Sequence, residues 1–312
     1  MVNYSINTFQ CMLADDAFLP IYKGSTFRGA FGVALRKVVC TLRNKECQDC
    51  LLSSRCIYAQ IFEPTSWNYC SSRTVAPPHP YIIEPDPSTR TRFSTGNLFC
   101  FNLLLFGEFV SYLPYFIYAV ETMGTVGIGK RIGNGRAKFS IVKVSDECGE
   151  VIYDSCSKKI VPLIKPYTLP TPVMKDDVQG VLSISLKTPM RFKAGNKLSV
   201  KLTFEGFIKA ALRRVSAMHD AYGDGDPPLN YKAIIAEAAI VATRNSALKW
   251  LDWKRYSNRQ DEEMLFGGLQ GNISFEGNIG KFMQIIEQAR IIHVGKQATF
   301  GLGSFDYHWE PE

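Results

Sequence analysis

The chain of 312 residues lacks any long hydrophobic run. Its most apolar stretches, 98–106 and 112–120, are too short and too interrupted to span a bilayer, which takes about 20 consecutive apolar residues. No secretory signal is expected at the start, because Met1-Val2-Asn3-Tyr4-Ser5-Ile6 opens directly on strand-like alternation. Histidine is scarce, with four in the chain. No Ser-His-Asp pattern, Walker loop or paired-carboxylate constellation appears, so hydrolase and nucleotide-phosphatase readings have little support. Acidic residues are the minority, 29 against 36 Lys and Arg, leaving a net charge of +7. That excess favours a polyanionic partner, though by itself it governs mainly solubility and non-specific binding. Cysteine is not scarce. Nine of them, an odd number without a secretion signal, point to a reducing compartment, and the expectation is a cytoplasmic protein with no membrane partner.

Hydrophobic content of 46% with 21% charged residues is ordinary for a globular chain. The length fits two domains better than one. The pattern predicts a strand at 2–13, a helix at 24–40 with Phe27, Phe31, Leu35 and Val38 in one stripe, strands at 81–84 and 98–107, a helix at 112–123 and a strand at 138–144. After a Pro- and Lys-rich stretch the same order recurs. It runs as a strand at 181–186, a helix at 203–222, an extra helix at 231–243, strands at 248–256 and 269–275, and a last helix at 279–292. Two β-α-β-β-α-β units give an α+β, tandem ferredoxin-like (RRM-like) protein. The expected division is 1–156 with a cysteine-rich insertion at about 40–70, a linker at 157–179, and 180–312.

Between the last helix and a short terminal strand lies His293-Val294-Gly295-Lys296-Gln297-Ala298-Thr299-Phe300-Gly301-Leu302-Gly303-Ser304-Phe305. Glycines let backbone N–H groups approach an anion, and Lys296 adds a positive charge, so the loop suits a phosphate backbone. A weaker copy, Gly127-Ile128-Gly129-Lys130-Arg131-Ile132-Gly133-Asn134-Gly135-Arg136, follows the second helix. The first helix sets Arg28, Gly32 and Arg36 along one flank, with Lys23 just before it, spaced to follow phosphates. Leu248–Gln260 interleaves Lys254, Arg255 and Arg259 with Trp250, Trp253 and Tyr256, as a stacking-plus-phosphate surface requires. Those cations are expected to touch RNA before either tryptophan, because Trp in a strand is more often core. His219 falls on the apolar side of its helix and reads as a packing histidine, whereas His293 stands at the mouth of the glycine loop. Cys40, Cys47, Cys50 and Cys56 have the spacing C-x6-C-x2-C-x5-C, which suits a tetrahedral four-thiolate site. Zinc fits best there, in a structural role, and an iron–sulfur cluster accepts the same ligands.

These segments together resemble the CRISPR-associated repeat-processing endoribonucleases, the Cas-six group within the RAMP superfamily. The resemblance rests on Ser183–Phe192, Leu212-Arg213-Arg214-Val215, Arg255–Gln260, Gly267–Gly271 and His293–Lys296 through Gly301-Leu302-Gly303. In the first half, Lys23–Gly32 and the cysteine cluster followed by Ile61-Phe62-Glu63-Pro64 are similar to the same group. The resemblance implies metal-independent cleavage of CRISPR repeat RNA by the ribose 2′-OH, leaving a 2′,3′-cyclic phosphate and a 5′-OH. The product guide RNA would be retained, and other CRISPR effector subunits could be partners. The expected catalytic residues are His293 as general acid or base, with Lys296 and Arg28 stabilising charge. The expected RNA contacts are Lys23, Arg36, Lys130, Arg131, Arg136, Arg213, Arg214, Lys254, Arg255, Arg259, Gly295, Gly301 and Gly303. Tyr22 stands in reserve beside Lys23. The first helix has no histidine, where many members of the group place one. The competing reading is therefore a non-catalytic RAMP scaffold that binds guide RNA in an effector complex.

Overall fold

A computed structural model describes residues 1–42, 45–63, 77–133, 135–161, 166–174, 177–194, 197–198, 200–257 and 262–312. They divide into two compact units. The first holds Met1–Leu169 with Ala221–Asp224, and the second holds Pro170–Asp220 with Gly225–Glu312.

The first unit runs β1 (Val2–Leu13), β2 (Ala17–Phe18), α1 (Gly24–Val39), α2 (Ile57–Phe62), β3 (Tyr81–Pro85), β4 (Arg92–Phe93), β5 (Leu98–Phe106), α3 (Leu113–Val126), β6 (Ile128–Ile132), β7 (Gly135–Ala137), β8 (Phe139–Ser145), β9 (Val151–Asp154), β10 (Lys159–Ile160) and β11 (Tyr167–Leu169). Its main sheet has the order β10-β9-β8-β1-β5-β3, with every pairing antiparallel. Within it β8-β1-β5-β3 is the fourth, first, third and second strand of a β-α-β-β-α-β unit, the ferredoxin-like order. Alternation in β1 sends Phe9, Cys11 and Leu13 to the core. The α1 stripe buries Phe27, Phe31, Ala34 and Leu35 against them, and Phe9 stacks on Phe101 at 5.0 Å.

Among its described residues the stretch expected as a linker carries the short strands β10 and β11. β9 and β10 pair, and β11 adds to β1 at Val2–Tyr4, on the edge that β8 leaves uncovered beyond Thr8. Backbone groups at a bare edge need partners, and β11 supplies them.

The second unit runs β12 (Gln179–Met190), β13 (Lys193–Ala194), β14 (Lys197–Leu198), α4 (Phe204–Tyr222), α5 (Tyr231–Ala238), β15 (Ala242–Ser257), β16 (Glu262–Asn278), α6 (Met283–Ile292) and β17 (Phe305–Pro311). The end of α4, Ala221 and Tyr222, belongs to the first unit. The sheet order β15-β16-β12-β17, all antiparallel, is again the ferredoxin-like order. From α4, Phe204 meets Phe275 and Phe282 at 5.2 Å each, and Phe207 meets Phe305 at 5.3 Å. From α6, Ile285, Ile286, Ala289 and Ile292 are buried.

The helix expected at 231–243 stops at Ala238, although Asn230 caps it on the Ala233 N–H at 3.2 Å. Ile240, Val241 and Thr243 are β-branched and suit a strand better, and Ala242 and Thr243 pair with Glu276 and Phe275. Among the described residues no helix is long and apolar enough to cross a membrane.

Candidate nucleic-acid interface

The loop after α6 is built on backbone that few residues adopt. His293 and Gln297 have φ of 60° and 67°, and Gly295, Gly301 and Gly303 have 97°, 81° and 77°. A Cβ on Gly303 would lie 1.9 Å from the Val294 carbonyl oxygen, and one on Gly295 2.5 Å from that of Arg191. These glycines therefore permit close backbone packing. The loop N–H groups are spent on it. Lys296 donates to Arg191 O at 2.8 Å, Gly303 to Pro189 O at 3.1 Å, Val294 to Gly303 O at 3.1 Å and Gly301 to Ala298 O at 2.7 Å. Thr188 completes the clamp, its hydroxyl donating to Gly301 O at 2.8 Å while accepting from Ser304 N–H at 3.0 Å. The anion-cradling role expected of the glycines is thus replaced, for these donors, by a clasp on the end of β12.

What the clasp presents is side chains. Lys296 is exposed, and Gly295 and Gln297 are half-buried. His293 is fully buried, its Nδ1–H donating to Leu302 O at 3.1 Å, so the ring braces the loop from within. From α4, Arg214 donates Nε–H to Ile292 O at 3.2 Å, holding the last carbonyl of α6, while Arg213 points to solvent. Phe300 sets its ring edge-on to Phe266 of β16 at 5.2 Å, and Phe266 in turn neighbours Trp253 at 6.3 Å. Arg214, His293 and Lys296 therefore gather at one end of the sheet. Arg191, at the same place, escaped the sequence reading of single residues. Its signal is only that it ends the strand the loop must grip. Trp250 donates to Asp252 at 2.7 Å. Arg259 lies outside the described residues, as do the side chains of Lys254 and Arg255.

The remaining candidates stand in the first unit. The weaker glycine loop is a hairpin, β6 with β7, because α3 ends at Gly127 with φ 84°, where a Cβ would meet Arg136 O at 2.6 Å. It exposes Lys130, Arg131 and Arg136, the last also donating to Gly129 O at 3.1 Å. Arg28 lies with its guanidinium 5.2 Å from the Phe62 ring, beside the buried Tyr81 hydroxyl, whose pKa burial raises and Arg28 partly offsets. Lys23 is not a surface cation. It is 3% exposed, with its ammonium donating to Ser88 O at 2.5 Å and Ile21 O at 3.3 Å. Burial lowers its pKa, with Asp86 opposing, and burial beside Glu84 raises that of Tyr22. Arg36 is likewise engaged, donating to Lys45 O at 3.2 Å with its guanidinium 5.8 Å from the Tyr58 ring.

His219 is the packing histidine expected, buried and bonded through Nε2 to Gln288 at 2.9 Å. Cys40, Cys47, Cys50 and Cys56 are free thiols, all half-buried. Burial pushes the Cys47 thiol up while Arg36 pulls it down. Among the described residues no three His, Cys, Asp or Glu stand close enough to hold an ion.

Comparison with known proteins covers both units. Residues 2–165 match the family AF_1859_N, described as an N-terminal domain, and residues 184–305 match the family described as CRISPR-associated endoribonuclease Cas6. An uncharacterized protein of Archaeoglobus fulgidus is 26% identical over 296 residues, 92% of each chain. Among solved structures, a Cas6 product complex has a TM-score of 0.59 at 13% identity, covering 98% of this chain and 100% of that one. Cas6 of Thermus thermophilus gives 0.55 at 11% identity over 99% of both chains. A partial Cas6-RT-Cas1–Cas2 complex gives 0.57 at 11%, covering 99% of this chain and 46% of that one. At these identities the structural likeness is one of fold.

Proposed function

The chain belongs to the AF_1859_N family through residues 2–165 and carries a Cas6-type domain over residues 184–305, and on that premise we propose that it cuts CRISPR repeat RNA without a metal. The observation that carries this reading is an exposed cation, Lys296, on a backbone clasped to β12 inside the Cas6-matching segment. In the reaction the ribose 2′-oxygen attacks the adjacent phosphorus and the P–O5′ bond breaks. The 2′-hydroxyl proton is lost, the 5′-oxygen gains one, and a cyclic phosphate remains. Lys296 offsets charge on the phosphorane, its flexible stem carrying the ammonium to the phosphate from a backbone held by the clasp. His293 acts through the loop by bracing Leu302 O. Arg28 supports α1 and α2 in the first unit, and Lys130, Arg131, Arg136 and Arg213 hold the RNA backbone and retain the product. Assembly with further CRISPR subunits, as in the Cas6-RT-Cas1–Cas2 relative, belongs to the same proposal.

One observation favours the second reading, a RAMP protein that binds guide RNA without cutting it. The histidine nearest the loop has no exposed surface. The test is a labelled cognate repeat incubated with the chain in EDTA, beside Lys296→Ala and, as a control, His308→Ala. A discrete cut ending in a cyclic phosphate, slowed by about 10²-fold in Lys296→Ala and unchanged in His308→Ala, is the expected result. Tight binding with no cut would establish the second reading instead.

A further inference from the structure

Phe18 is the one exposed phenylalanine among the described residues, 40% accessible on a strand of two residues. The ladder explains how it is held there. β2 pairs antiparallel with β4, Ala17 opposite Phe93 and Phe18 opposite Arg92. Residues directly opposed across such a pair project to the same side, with Cβ atoms about 4.5–5.5 Å apart. Ala17 and Phe93 are accordingly buried, and Phe18 and Arg92 stand together on the outer side. A single exposed apolar side chain needs no explanation by itself. The surroundings of this one give it a use.

The backbone of β6 is pressed against Phe18. Gly129 has φ 80°, and a Cβ there would lie 2.6 Å from the Phe18 carbonyl oxygen and 2.9 Å from the Leu19 side chain. That contact delivers cations. Arg136 donates Nη1–H to Gly129 O at 3.1 Å, which holds its guanidinium beside the same contact, and Lys130 and Arg131 follow Gly129 directly. On the β4 side Arg90 donates Nε–H to Arg92 O at 2.8 Å and Nη2–H to Asn97 Oδ1 at 2.5 Å, with its guanidinium 4.6 Å from the Phe93 ring.

Arg90, Arg92, Lys130, Arg131 and Arg136 are all exposed. Among the described residues no carboxylate forms an ion pair with any of them. Asp15 and Asp16, just before β2, are spent on other donors. Asp15 accepts from Lys138 N–H at 2.9 Å, and Asp16 accepts from Thr95 N–H at 2.8 Å and from its hydroxyl at 3.1 Å. A ring flanked by guanidinium groups suits an unpaired nucleotide, whose base stacks on the ring while the cations take its phosphates. A duplex hides its base faces and would meet only the cations.

We propose that Phe18, with Arg92 and Arg136 beside it, is a stacking site for an unpaired nucleotide, which makes this face of the first unit a path for single-stranded RNA. The proposal rests on the reading of the chain as an RNA-binding protein. Ile21 and Ile132 are also exposed, which makes anionic lipid the competing partner.

The test is anisotropy of the full chain in EDTA with a labelled oligouridine of about 12 nucleotides, beside a blunt RNA duplex of that length and vesicles of phosphatidylcholine with phosphatidylserine. Phe18→Leu keeps an apolar side chain but no π-face. It should weaken the single strand about tenfold and leave duplex affinity and the urea midpoint unchanged, whereas Phe18→Trp should bind as wild type. Arg92→Ala should flatten the single-strand salt slope by about 0.7. Should Phe18→Leu lower the urea midpoint, wild-type chain cross-linked to 4-thiouridine RNA must carry the adduct on a peptide containing Phe18 or Arg92. Wild-type affinity in a folded Phe18→Leu, equal loss on single strand and duplex, or an adduct on neither peptide would each overturn the proposal. Vesicle binding that Phe18→Leu abolishes, with RNA affinity unchanged, would reassign the face to lipid. A chain that binds no RNA at all removes the functional reading as well, whereas Lys296-dependent binding of the repeat with Phe18→Leu silent removes this site alone.

Discussion

Gly303 and Lys296 stand seven positions apart in one loop, yet substitution should separate their roles. A Cβ at Gly303 has nowhere to go, with the Val294 oxygen 1.9 Å away and φ at 77°. Gly303→Ala is expected to cost about 3 kcal/mol or more and to shift the urea midpoint. Lys296→Ala should leave that midpoint unchanged while lowering cleavage. Glu287 gives a pH-dependent case. It accepts from Arg290 Nη2–H at 2.8 Å and Nε–H at 3.2 Å and from the Tyr307 hydroxyl at 2.8 Å. The Arg290 hydrogen bonds hold its pKa below the usual carboxylate value against the pull of burial, while burial and Glu287 push Tyr307 up to about 12. A depressed carboxylate stabilises the fold above its unfolded pKa of about 4.3 and loses that contribution as pH falls through the folded value. Glu287→Gln should therefore destabilise at pH 7, by about 1 kcal/mol or less because the pair is more than a third exposed. The gap between variant and wild type should narrow as pH falls below about 4.3. A gap that widened in acid would contradict this assignment.

The repeating strand and helix order was legible in the chain because each element depends on its own period. Phe27, Phe31 and Leu35 mark α1, and Phe204, Phe207, Ile208 and Ala211 mark α4, whatever they pack against. The glycine loop was visible as a loop, but not as a clasp. Nothing local to Gly303 reveals that its N–H will meet Pro189 O, more than a hundred residues earlier. The same limit applies to Lys23, whose neighbours in sequence suit an exposed helix start, but whose ammonium is taken by Ser88 O. β15 and β16 are 16 and 17 residues long, against a common strand length of about 5–6. In β15 most of the described positions are exposed, which obscures the period that would have marked its ends. At this scale Phe300 is the fastener between loop and hairpin. Phe300→Ala is expected to cost about 0.5–1.5 kcal/mol beyond the lost burial. It should also speed hydrogen exchange across 293–304 while leaving the α1 amides protected.

Over the whole molecule, a net charge of +7 matters to RNA binding through the salt dependence it imposes. Each cation that neutralises a phosphate of a single strand contributes about 0.7 to the slope of log affinity against log salt. Lys296→Ala should flatten the slope by about that amount, and Lys130→Ala with Arg131→Ala by about twice as much. Anisotropy titrations over a salt series read this directly, and an unchanged slope would remove the residue from the RNA path. The first unit also has a consequence in time. Its earliest strand, β1, lies between β8 and β5 and takes β11 on Val2–Tyr4, and Ala221–Asp224 belong to the same unit. A ribosome must release the chain past β12 and nearly all of α4 before that unit has all its parts. At about 5–20 residues per second, β1 waits roughly 5–25 s for β5 and β8 to be made, with Phe9, Cys11 and Leu13 open meanwhile to any other apolar strand.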